Sequence, residues 1–374
     1  MIRWIALSSQ CESRTELVFE GVPGEDIESM ARCMEKMGAS IVRKRRSWSI
    51  KGKVGGLDNP GCALDCGNSA TTANFVTAIV ACLEGSVKVD GDISLRKRDL
   101  SPLTSVLREL GCNITSDRLP YTVNGPINPG NSNIDESLSS QTLSGIIMAS
   151  PGFPSEVGIS LRGDAVSRWY RDLTLEIAVL SGLDIQYGKL LYLSPWSIKT
   201  PKIIEIPAEF SLLPISLLFD KLHGTNSLES GKYGDSYLKD AIEKVMSGKY
   251  SKISLRDYSD IIAPVAALMA IGGGGKIVDA SHARGKESNR ILSTISMLGS
   301  FGIEIEENAD GLKIPGGQEL ESASRPINCE DDHRLAMTAA AIATKVGSDL
   351  FGHEICDVTH PGFLEMILTR PTEM

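Results

Sequence analysis

The sequence predicts an α/β fold of two similar lobes, from its length and from an internal repeat. Its 374 residues, of which 42% are hydrophobic, are too many for one ordinary core and enough for two packed domains. An amphipathic helix that ends in glycine, followed by a short strand that contains isoleucine, occurs three times in the first half. A repeat of this kind buries its helices against its own sheet and against neighbouring helices, which gives a pseudo-symmetric α/β domain.

The repeat has a period of 73 and then 71 residues, measured between the glycines that end its helices. These glycines are Gly38, Gly111 and Gly182. A short strand is predicted directly after each glycine, at residues 39–41, 112–114 and 183–185. Each unit of the repeat therefore holds two helices and several strands.

The second half continues the same scheme less regularly. Gly248 and Gly302 end similar helices at looser spacing, and no Ser-rich or Pro-rich linker marks the join. A new helical pattern starts at residues 209–219, so we place the boundary near Pro207. This boundary divides the chain into lobes 1–207 and 208–374.

Composition excludes several classes of function. A net charge of −9 argues against a nucleic-acid partner, because phosphate backbones are bound by positive faces. The longest apolar run, residues 261–271, contains Pro264 and is shorter than the roughly 18 residues that a membrane helix needs. The eight cysteines lack zinc-binding spacing and predict reduced core thiols of a cytoplasmic protein. The basic run at residues 43–46, next to Trp48, predicts the exposed face of a strand pair.

Two stretches of the first half combine small residues with helix starts. Residues 64–75 lead from a turn into an apolar helix, with Asn68 or Ser69 as its N-cap. The small residues before the helix would let an anion come close to its backbone N–H groups. Ser139 and Ser140 place hydroxyls at a second helix start, where hydroxyl and backbone donors can converge on a phosphate. Each pattern is equally compatible with an ordinary capped helix.

A charged cluster precedes an apolar helix in the second half. We expect Lys286, Glu287 and Arg290 to occupy the first turn of this helix, with the two cations on one face. Two cations and a carboxylate at a helix start suit a site that binds an anion and at which a proton is transferred nearby. On spacing alone, a solvated helix start with an intrahelical ion pair is the better explanation. The glycines at 272–275 follow a helix and predict a flexible turn rather than a phosphate loop.

The stretch 284–290, with the pattern Arg-x-Lys-Glu-Ser-Asn-Arg, resembles a signature of the enolpyruvyl transferase family, and within it of the 5-enolpyruvylshikimate-3-phosphate synthases. Further matches in type and order lie at residues 67–74, 91–98, 134–148, 167–170, 257–260 and 332–337. The resemblance implies two lobes, each of three βαβαββ units, on either side of a cleft. It also implies transfer of the enolpyruvyl group from phosphoenolpyruvate to the 5-hydroxyl of shikimate 3-phosphate, in aromatic amino acid biosynthesis. No metal or organic cofactor is implied, and we expect a monomer.

The resemblance also assigns roles to single residues. Those implied to bind shikimate 3-phosphate are Arg3, Ser139, Ser140, Gln141, Ser167, Tyr170, Asp260 and Lys286. Those implied to bind phosphoenolpyruvate are Ala70, Arg98, Gln141, Arg290, His333 and Arg334. Asp260 is implied as the base at the hydroxyl, and Glu287, with Lys286 nearby, as the proton shuttle at C3 of phosphoenolpyruvate. Without the resemblance these residues fit helix caps, a half-buried tyrosine and a solvated loop.

Three positions depart from the family's pattern. Ala70 replaces a glycine and narrows the phosphoenolpyruvate pocket, while Asn74 and Val358 replace an arginine and a lysine. We therefore expect weak inhibition by glyphosate. Losing two cations from one dry anion pocket costs several kcal/mol, so a catalytically decayed or purely ligand-binding homologue stays open as an alternative. A UDP-N-acetylglucosamine enolpyruvyl transferase is a further alternative, although it resembles residues 139–141 and 286–290 less.

The sequence begins inside a further element of the family's pattern. That element is Lys-Ser followed by an arginine that opens the first long helix, and Arg3 takes the place of the arginine. In this register Asp26 falls where the family has an acidic residue at a helix start. We therefore expect Met1 to be an internal methionine, with Lys-Ser and one strand of a sheet encoded just upstream.

Overall fold

The computed structural model describes residues 1–225, 236–329 and 332–369 of the chain. The chain forms two compact units, Met1–Pro207 and Ala208–Met374. Both units consist of small sheets with helices packed against them. Among the described residues, no helix combines the length and the apolar composition needed to cross a bilayer.

The first unit contains seven helices and eleven strands. Its helices are α1 (Ile2–Ser8), α2 (Glu25–Lys36), α3 (Ala70–Val80), α4 (Ile93–Lys97), α5 (Ser101–Glu109), α6 (Gln141–Ala149) and α7 (Arg168–Leu180). Its strands are β1 (Thr15–Val18), β2 (Ser40–Arg43), β3 (Ser47–Lys51), β4 (Leu64–Asp65), β5 (Gly85–Asp90), β6 (Asn113–Ile114), β7 (Tyr121–Gly125), β8 (Asn131–Asp135), β9 (Val157–Arg162), β10 (Leu190–Leu193) and β11 (Ile203–Glu205).

The described part of the second unit contains six helices and six strands. The helices are α8 (Leu213–His223), α9 (Ser236–Met246), α10 (Ile262–Ile271), α11 (Arg290–Ser300), α12 (His333–Val346) and α13 (Phe363–Thr369). The strands are β12 (Ser251–Ser254), β13 (Gly275–Val278), β14 (Glu306–Asn308), β15 (Gly311–Ile314), β16 (Ile327–Asn328) and β17 (Leu350–Phe351).

Three four-stranded sheets share one pattern of pairing: β11-β1-β3-β2, β4-β5-β7-β6 and β12-β13-β15-β14. In each, the first two strands are parallel, and the third is antiparallel to both of its neighbours. A fourth sheet, β10-β9-β8, keeps the parallel pair and one antiparallel strand. Because a parallel pair requires a crossover and an antiparallel pair allows a hairpin, this is the pairing of a βαβαββ unit. The predicted α/β fold of repeated units is confirmed.

The glycines that define the repeat end helices as predicted. Gly38, Gly111 and Gly182 follow α2, α5 and α7 with φ of +102°, +89° and +108°, a region that favours glycine. Strands β2 and β6 follow the first two glycines. The predicted strand at residues 183–185 is wrong: these residues form no strand, although the pattern of the other sheets would place one beside β10, the counterpart of β7.

Helices α3 and α6 form the centre of the first unit and are buried almost all round. They run parallel, since Asn74 contacts Gln141, the β-carbon of Ala78 lies at Gly145, and the Cys82 thiol donates to the Ala149 carbonyl. A β-carbon at Gly145 would lie 3.0 Å from the carbonyl oxygen of Asn74, so glycine permits this close approach. The N-termini of both helices therefore lie at one end of the unit.

Two predictions about the surface need correction. Residues 44–46 form the turn of the β2-β3 hairpin, so the strand pair is confirmed, but these basic residues lie at its turn and not on a face. Arg43 pairs with Glu35 at 2.6 Å and lies over the buried Trp48. All eight cysteines are free thiols. Cys62 is exposed and Cys82 is half-buried, so the expectation of core thiols is wrong for Cys62.

Candidate active site

The predicted serines of the first unit lie at the starts of α3 and α6. Ser69 caps α3, since its hydroxyl accepts a hydrogen bond from the N–H of Thr72 at 3.2 Å. Ser140 is buried directly before α6, and the hydroxyl of Ser139 accepts from the N–H of Gln141 at 3.1 Å. Both helix starts thus combine hydroxyl groups with free backbone N–H groups, which is an arrangement that binds anions.

The side chain of Gln141 is held between α6 and α3. Its Oε1 accepts from Nδ2 of Asn74 at 3.1 Å, and its Nε2 donates to the Thr71 hydroxyl at 3.1 Å. Asn74 also donates to the carbonyl of Ala70 at 2.8 Å. Asn74 therefore fixes the orientation of Gln141. The sequence alone indicated only that Asn74 replaces an arginine of the family's pattern.

Arg98 lies beside the start of α3. Its Nη2 donates to Oδ1 of Asn68 at 3.2 Å, and Nδ2 of Asn68 donates to Oδ2 of Asp92 at 2.7 Å. Asp92 is itself fixed, because its Oδ1 caps α4 by accepting from the N–H of Leu95 at 2.7 Å. Ala70, Arg98 and Gln141 are thus linked through Asn68, Asn74 and the backbone of α3.

The remaining predicted residues of the first unit cluster on α7. Ser167 precedes this helix with φ of +52°, a left-handed conformation that is uncommon outside glycine. Nη2 of Arg3 donates to the carbonyl of Tyr170 at 2.9 Å, and its guanidinium lies 5.9 Å from the centre of the Tyr170 ring. Arg3 also donates to the hydroxyl of Thr174 at 2.6 Å, which joins α1 to α7.

In the second unit, α11 begins later than the sequence predicts. The Asn289 side chain caps α11 by accepting from the N–H of Leu292, so Arg290 is its first residue. Lys286 and Glu287 lie in the segment between the 3-10 turn Ser281–Gly285 and the helix. The expectation that Lys286 and Arg290 share a helical face is therefore wrong, because the cap starts the helix after Lys286.

Arg290 instead gathers three carboxylates around one buried guanidinium that is 2% exposed. Its Nη1 donates to Oδ1 of Asp260 at 2.5 Å, its Nε donates to Oδ2 of Asp332 at 2.8 Å, and its Nη2 donates to Glu287. Nζ of Lys286 lies 3.8 Å from Oδ1 of Asp260. The structure thus brings together Asp260, Lys286, Glu287 and Arg290 through side-chain contacts rather than helical spacing.

The charge of Arg290 is fixed by this cluster. Burial lowers the pKa of the guanidinium, but Asp332, Glu287 and Asp260 outweigh burial and raise its pKa well above the ordinary value. Arg290 therefore stays charged at any pH at which the protein is folded.

Among the described residues, no three His, Cys, Asp or Glu side chains are arranged as ligands of a metal ion.

Asp332 is the residue of this cluster that the sequence did not single out. It is fully buried and accepts hydrogen bonds from Arg290, from the Ser288 hydroxyl at 3.0 Å and from the N–H of Arg334 at 3.0 Å. The last bond caps α12, and an aspartate before an apolar helix was a visible signal of this cap. Its contact with Arg290, which lies 42 residues earlier, had no signal in the sequence.

His333 and Arg334 open α12 and are both buried, each with 7% exposure. Nδ1 of His333, and Nε and Nη1 of Arg334, have no hydrogen-bond partner among the described residues. Burial, together with the neighbouring Arg334, lowers the pKa of His333 to about 4, so its imidazole is neutral at pH 7. Buried polar atoms without partners are rare, and a bound ligand, ion or water molecule can satisfy them. Val358 ends the 3-10 turn His353–Val358, which packs against α12.

The family model described as EPSP synthase (3-phosphoshikimate 1-carboxyvinyltransferase) matches residues 11–207 and 236–367. The 3-phosphoshikimate 1-carboxyvinyltransferase of Methanothrix thermoacetophila is 30% identical, over 91% of this chain and 86% of that protein. The protein of the same name from Methanococcoides burtonii is 28% identical, over 96% of this chain and 91% of its own length.

Solved structures share the fold over nearly the whole chain. EPSP synthase from Acinetobacter baumannii matches with a TM-score of 0.76 at 20% identity, covering 99% of this chain and 93% of that chain. The enolpyruvyl transferase NikO from Streptomyces tendae matches with a TM-score of 0.71 at 11% identity, covering 100% of this chain and 92% of that chain. These structures establish the fold, and the family model covers most of the sequence: the chain belongs to the EPSP synthase family of enolpyruvyl transferases.

Proposed function

We propose that the chain is a 3-phosphoshikimate 1-carboxyvinyltransferase of the shikimate pathway, acting as a cytoplasmic monomer. It transfers the enolpyruvyl group of phosphoenolpyruvate to the 5-hydroxyl of shikimate 3-phosphate and releases phosphate. Membership of the EPSP synthase family supports this reaction. The structural observation that carries the proposal is the cluster in which Asp260 and Glu287, a candidate base and a candidate acid, share the buried Arg290.

In this proposal the first unit binds shikimate 3-phosphate. The hydroxyls of Ser139, Ser140 and Ser167 lie at the starts of α6 and α7, where free N–H groups and the helix dipole favour a phosphate. Tyr170 and Arg3 lie against each other beside them. Hydroxyl, N–H and guanidinium donors together match the charge and the oxygen atoms of a phosphate monoester.

In the second unit, the donors proposed for phosphoenolpyruvate lie at the start of α12. Arg334 and His333 offer buried nitrogen atoms without hydrogen-bond partners among the described residues, and a phosphate or a carboxylate would satisfy them. A neutral His333 serves as a hydrogen-bond donor and not as a cation. In the first unit, Arg98, Gln141 and the start of α3 at Ala70 are the residues proposed to bind phosphoenolpyruvate.

The second unit supplies the groups that move protons. Asp260 accepts the proton of the attacking 5-hydroxyl while Glu287 protonates C3 of phosphoenolpyruvate, and the two reverse these roles when the tetrahedral intermediate eliminates phosphate. Lys286, next to Asp260, offsets negative charge on the substrates. A substrate anion that binds to Arg290 competes with Glu287 for its N–H groups. Because a carboxylate that loses a cationic partner binds a proton more readily, Glu287 is then better able to carry the proton.

The proposal is tested by incubating the purified full chain with shikimate 3-phosphate and phosphoenolpyruvate. We expect equimolar release of phosphate and of 5-enolpyruvylshikimate 3-phosphate, followed by phosphate assay and by NMR of the vinyl protons. Replacing shikimate 3-phosphate with UDP-N-acetylglucosamine should give no release, and release would support that alternative acceptor.

A decayed, ligand-binding homologue is the second candidate, because Asn74 and Val358 remove two cations from the family's pattern. The structure weakens half of this argument, since Asn74 has a defined contact with Gln141. Calorimetry separates the two candidates: binding of shikimate 3-phosphate without turnover supports decay, and turnover excludes it.

A further inference from the structure

Two loops of the first unit carry the hydroxyls proposed for shikimate 3-phosphate. Strand β8 leads through residues 136–140 into α6, and strand β9 leads through residues 163–167 into α7. The two strands are parallel neighbours, with Asp135 paired to Arg162 at their carboxyl ends. The loops therefore lie next to each other, which is a common place for ligand sites in α/β sheets.

Glu136 connects these two loops through its backbone. Its N–H donates to the carbonyl of Arg162 at 2.9 Å, and its carbonyl accepts from the N–H of Val166 at 3.0 Å. One residue thus bonds to both ends of the loop that precedes Ser167. Glu136 also lies in the first loop, three residues before Ser139. It therefore contacts both of the loops that carry the hydroxyls proposed to bind the phosphate.

The side chain of Glu136 connects the first loop to α7. Its Oε1 accepts from Nη1 of Arg171 at 2.9 Å and from the hydroxyl of Tyr187 at 3.4 Å. The guanidinium of Arg171 lies 4.8 Å from the centre of the Tyr187 ring. Arg171 is the residue after Tyr170 and lies one turn after Ser167, so the pair spans the two loops.

The environment fixes the charges of this group. The side chains of Glu136 and Arg171 are each only 10% exposed. Burial lowers the pKa of Arg171, but its bonds to Asp172 and Glu136 outweigh burial and raise it above the ordinary value. Burial raises the pKa of Tyr187 to about 12, so its hydroxyl is neutral and able to donate. Asp172 binds the other side of the guanidinium at 2.8 Å and is 58% exposed.

We propose that Glu136 and Arg171 form a positioning pair that sets the affinity for shikimate 3-phosphate by aligning the two hydroxyl-bearing loops and by cancelling a buried negative charge beside the phosphate. The inference rests on the proposed function. It assigns neither residue a contact with the substrate. Arg171 acts by neutralising Glu136, and Glu136 acts by tying the loop before α6 to α7.

This arrangement predicts an asymmetry between the two partners. Arg171→Met leaves a buried carboxylate next to an incoming phosphate, so both alignment and charge balance are lost. Glu136→Gln loses the ion pair but leaves Arg171 paired with Asp172. We expect Arg171→Met to raise the KM for shikimate 3-phosphate at least about tenfold, equal to about 1.4 kcal/mol, and Glu136→Gln to raise it less. The double variant should bind better than Arg171→Met alone.

Asp172→Asn is the matched control. It also removes one carboxylate from the same guanidinium, but one that is 58% exposed. We expect its KM for shikimate 3-phosphate to stay within about threefold of the wild type, because exposed ion pairs contribute little. Thermal unfolding of every variant shows which ones remain folded at the assay temperature.

The experiment measures kcat and both KM values for the wild type, the two single variants, the double variant and Asp172→Asn, with calorimetry of shikimate 3-phosphate binding in parallel. A selective rise in the KM for shikimate 3-phosphate, with the KM for phosphoenolpyruvate and kcat unchanged, supports the proposal. Partial recovery in the double variant supports the role of charge. Equal loss in Asp172→Asn, or a rise in both KM values together, overturns the proposal while the proposed function stands. A wild type that neither binds nor converts shikimate 3-phosphate overturns both.

Discussion

Arg290 and Asp332 decide the geometry of the candidate site at the scale of single residues. The guanidinium of Arg290 donates hydrogen bonds to the carboxylates of Asp260 and Glu287, which lie in different parts of the second unit. It also donates to Asp332, the N-cap of α12, which fixes its position. The sequence identified Asp260, Glu287 and Arg290 by resemblance. It could not show that they meet, because the contacts join residues 30 and 42 positions apart and depend on packing.

Asp332→Asn should reduce kcat at least about tenfold and destabilise the second unit by about 3 kcal/mol, because a buried arginine loses one of its compensating charges. Ser288→Ala is the control, since it removes another hydrogen bond to Asp332 without changing any charge. Steady-state kinetics and urea unfolding measure the two effects. Unchanged kcat in Asp332→Asn would contradict the prediction, because it would show that Asp260 and Glu287 alone fix the position of Arg290.

At the scale of elements, the close packing of α3 against α6 places both helix starts of the first unit at one end. Gly145→Ala should destabilise the protein by about 1–3 kcal/mol, because its β-carbon meets the backbone carbonyl of Asn74 at 3.0 Å. Gly299→Ala is the matched control in α11, where a β-carbon meets no atom within 4 Å. That change should leave stability equal or higher by up to about 1 kcal/mol, since alanine favours helix. Equal effects in both variants would contradict the packing argument, and thermal unfolding measures them.

The elements also show where prediction from the sequence succeeds and where it stops. Local signals sufficed for the glycine-ended helices and narrowed the cap of α3 to Asn68 or Ser69, of which the structure has Ser69, because these features depend on neighbouring residues. The strand expected at residues 183–185 does not form, and periodicity could not show this, because a strand depends on pairing with residues that are distant in sequence. The start of α11 was misplaced because Asn289 was not identified as its cap. The roles of Asn74 and Asp332 depend on contacts between distant helices, which no periodicity records.

At the scale of the whole molecule, buried neutral histidines make stability depend on pH. Burial lowers the pKa of both His282 and His333 to about 4, below the ordinary value of 6.5. Between pH 6.5 and about 4 the unfolded chain therefore binds protons that the folded chain does not, so the free energy of unfolding falls as the pH falls. Each unit of pKa shift corresponds to about 1.4 kcal/mol when its full effect is lost.

His333→Gln should make this loss of stability on acidification smaller, because the variant has no imidazole to protonate on unfolding. His353→Gln, at a side chain that is 41% exposed, is the control. Urea unfolding at pH 7 and at pH 4.5 gives the change for each variant. A slope equal to that of the wild type in His333→Gln would contradict the assignment of His333 as a buried neutral group.

The central claim is that Glu287 moves the proton at C3 while it is held by Arg290. The most direct test compares turnover and shikimate 3-phosphate binding in the wild type and in Glu287→Gln, with phosphate release and calorimetry as readouts. We predict no measurable turnover in the variant and a dissociation constant within about twofold of the wild type, because the change removes a titratable proton and no proposed contact with that ligand. Turnover at the wild-type rate in Glu287→Gln would contradict the account.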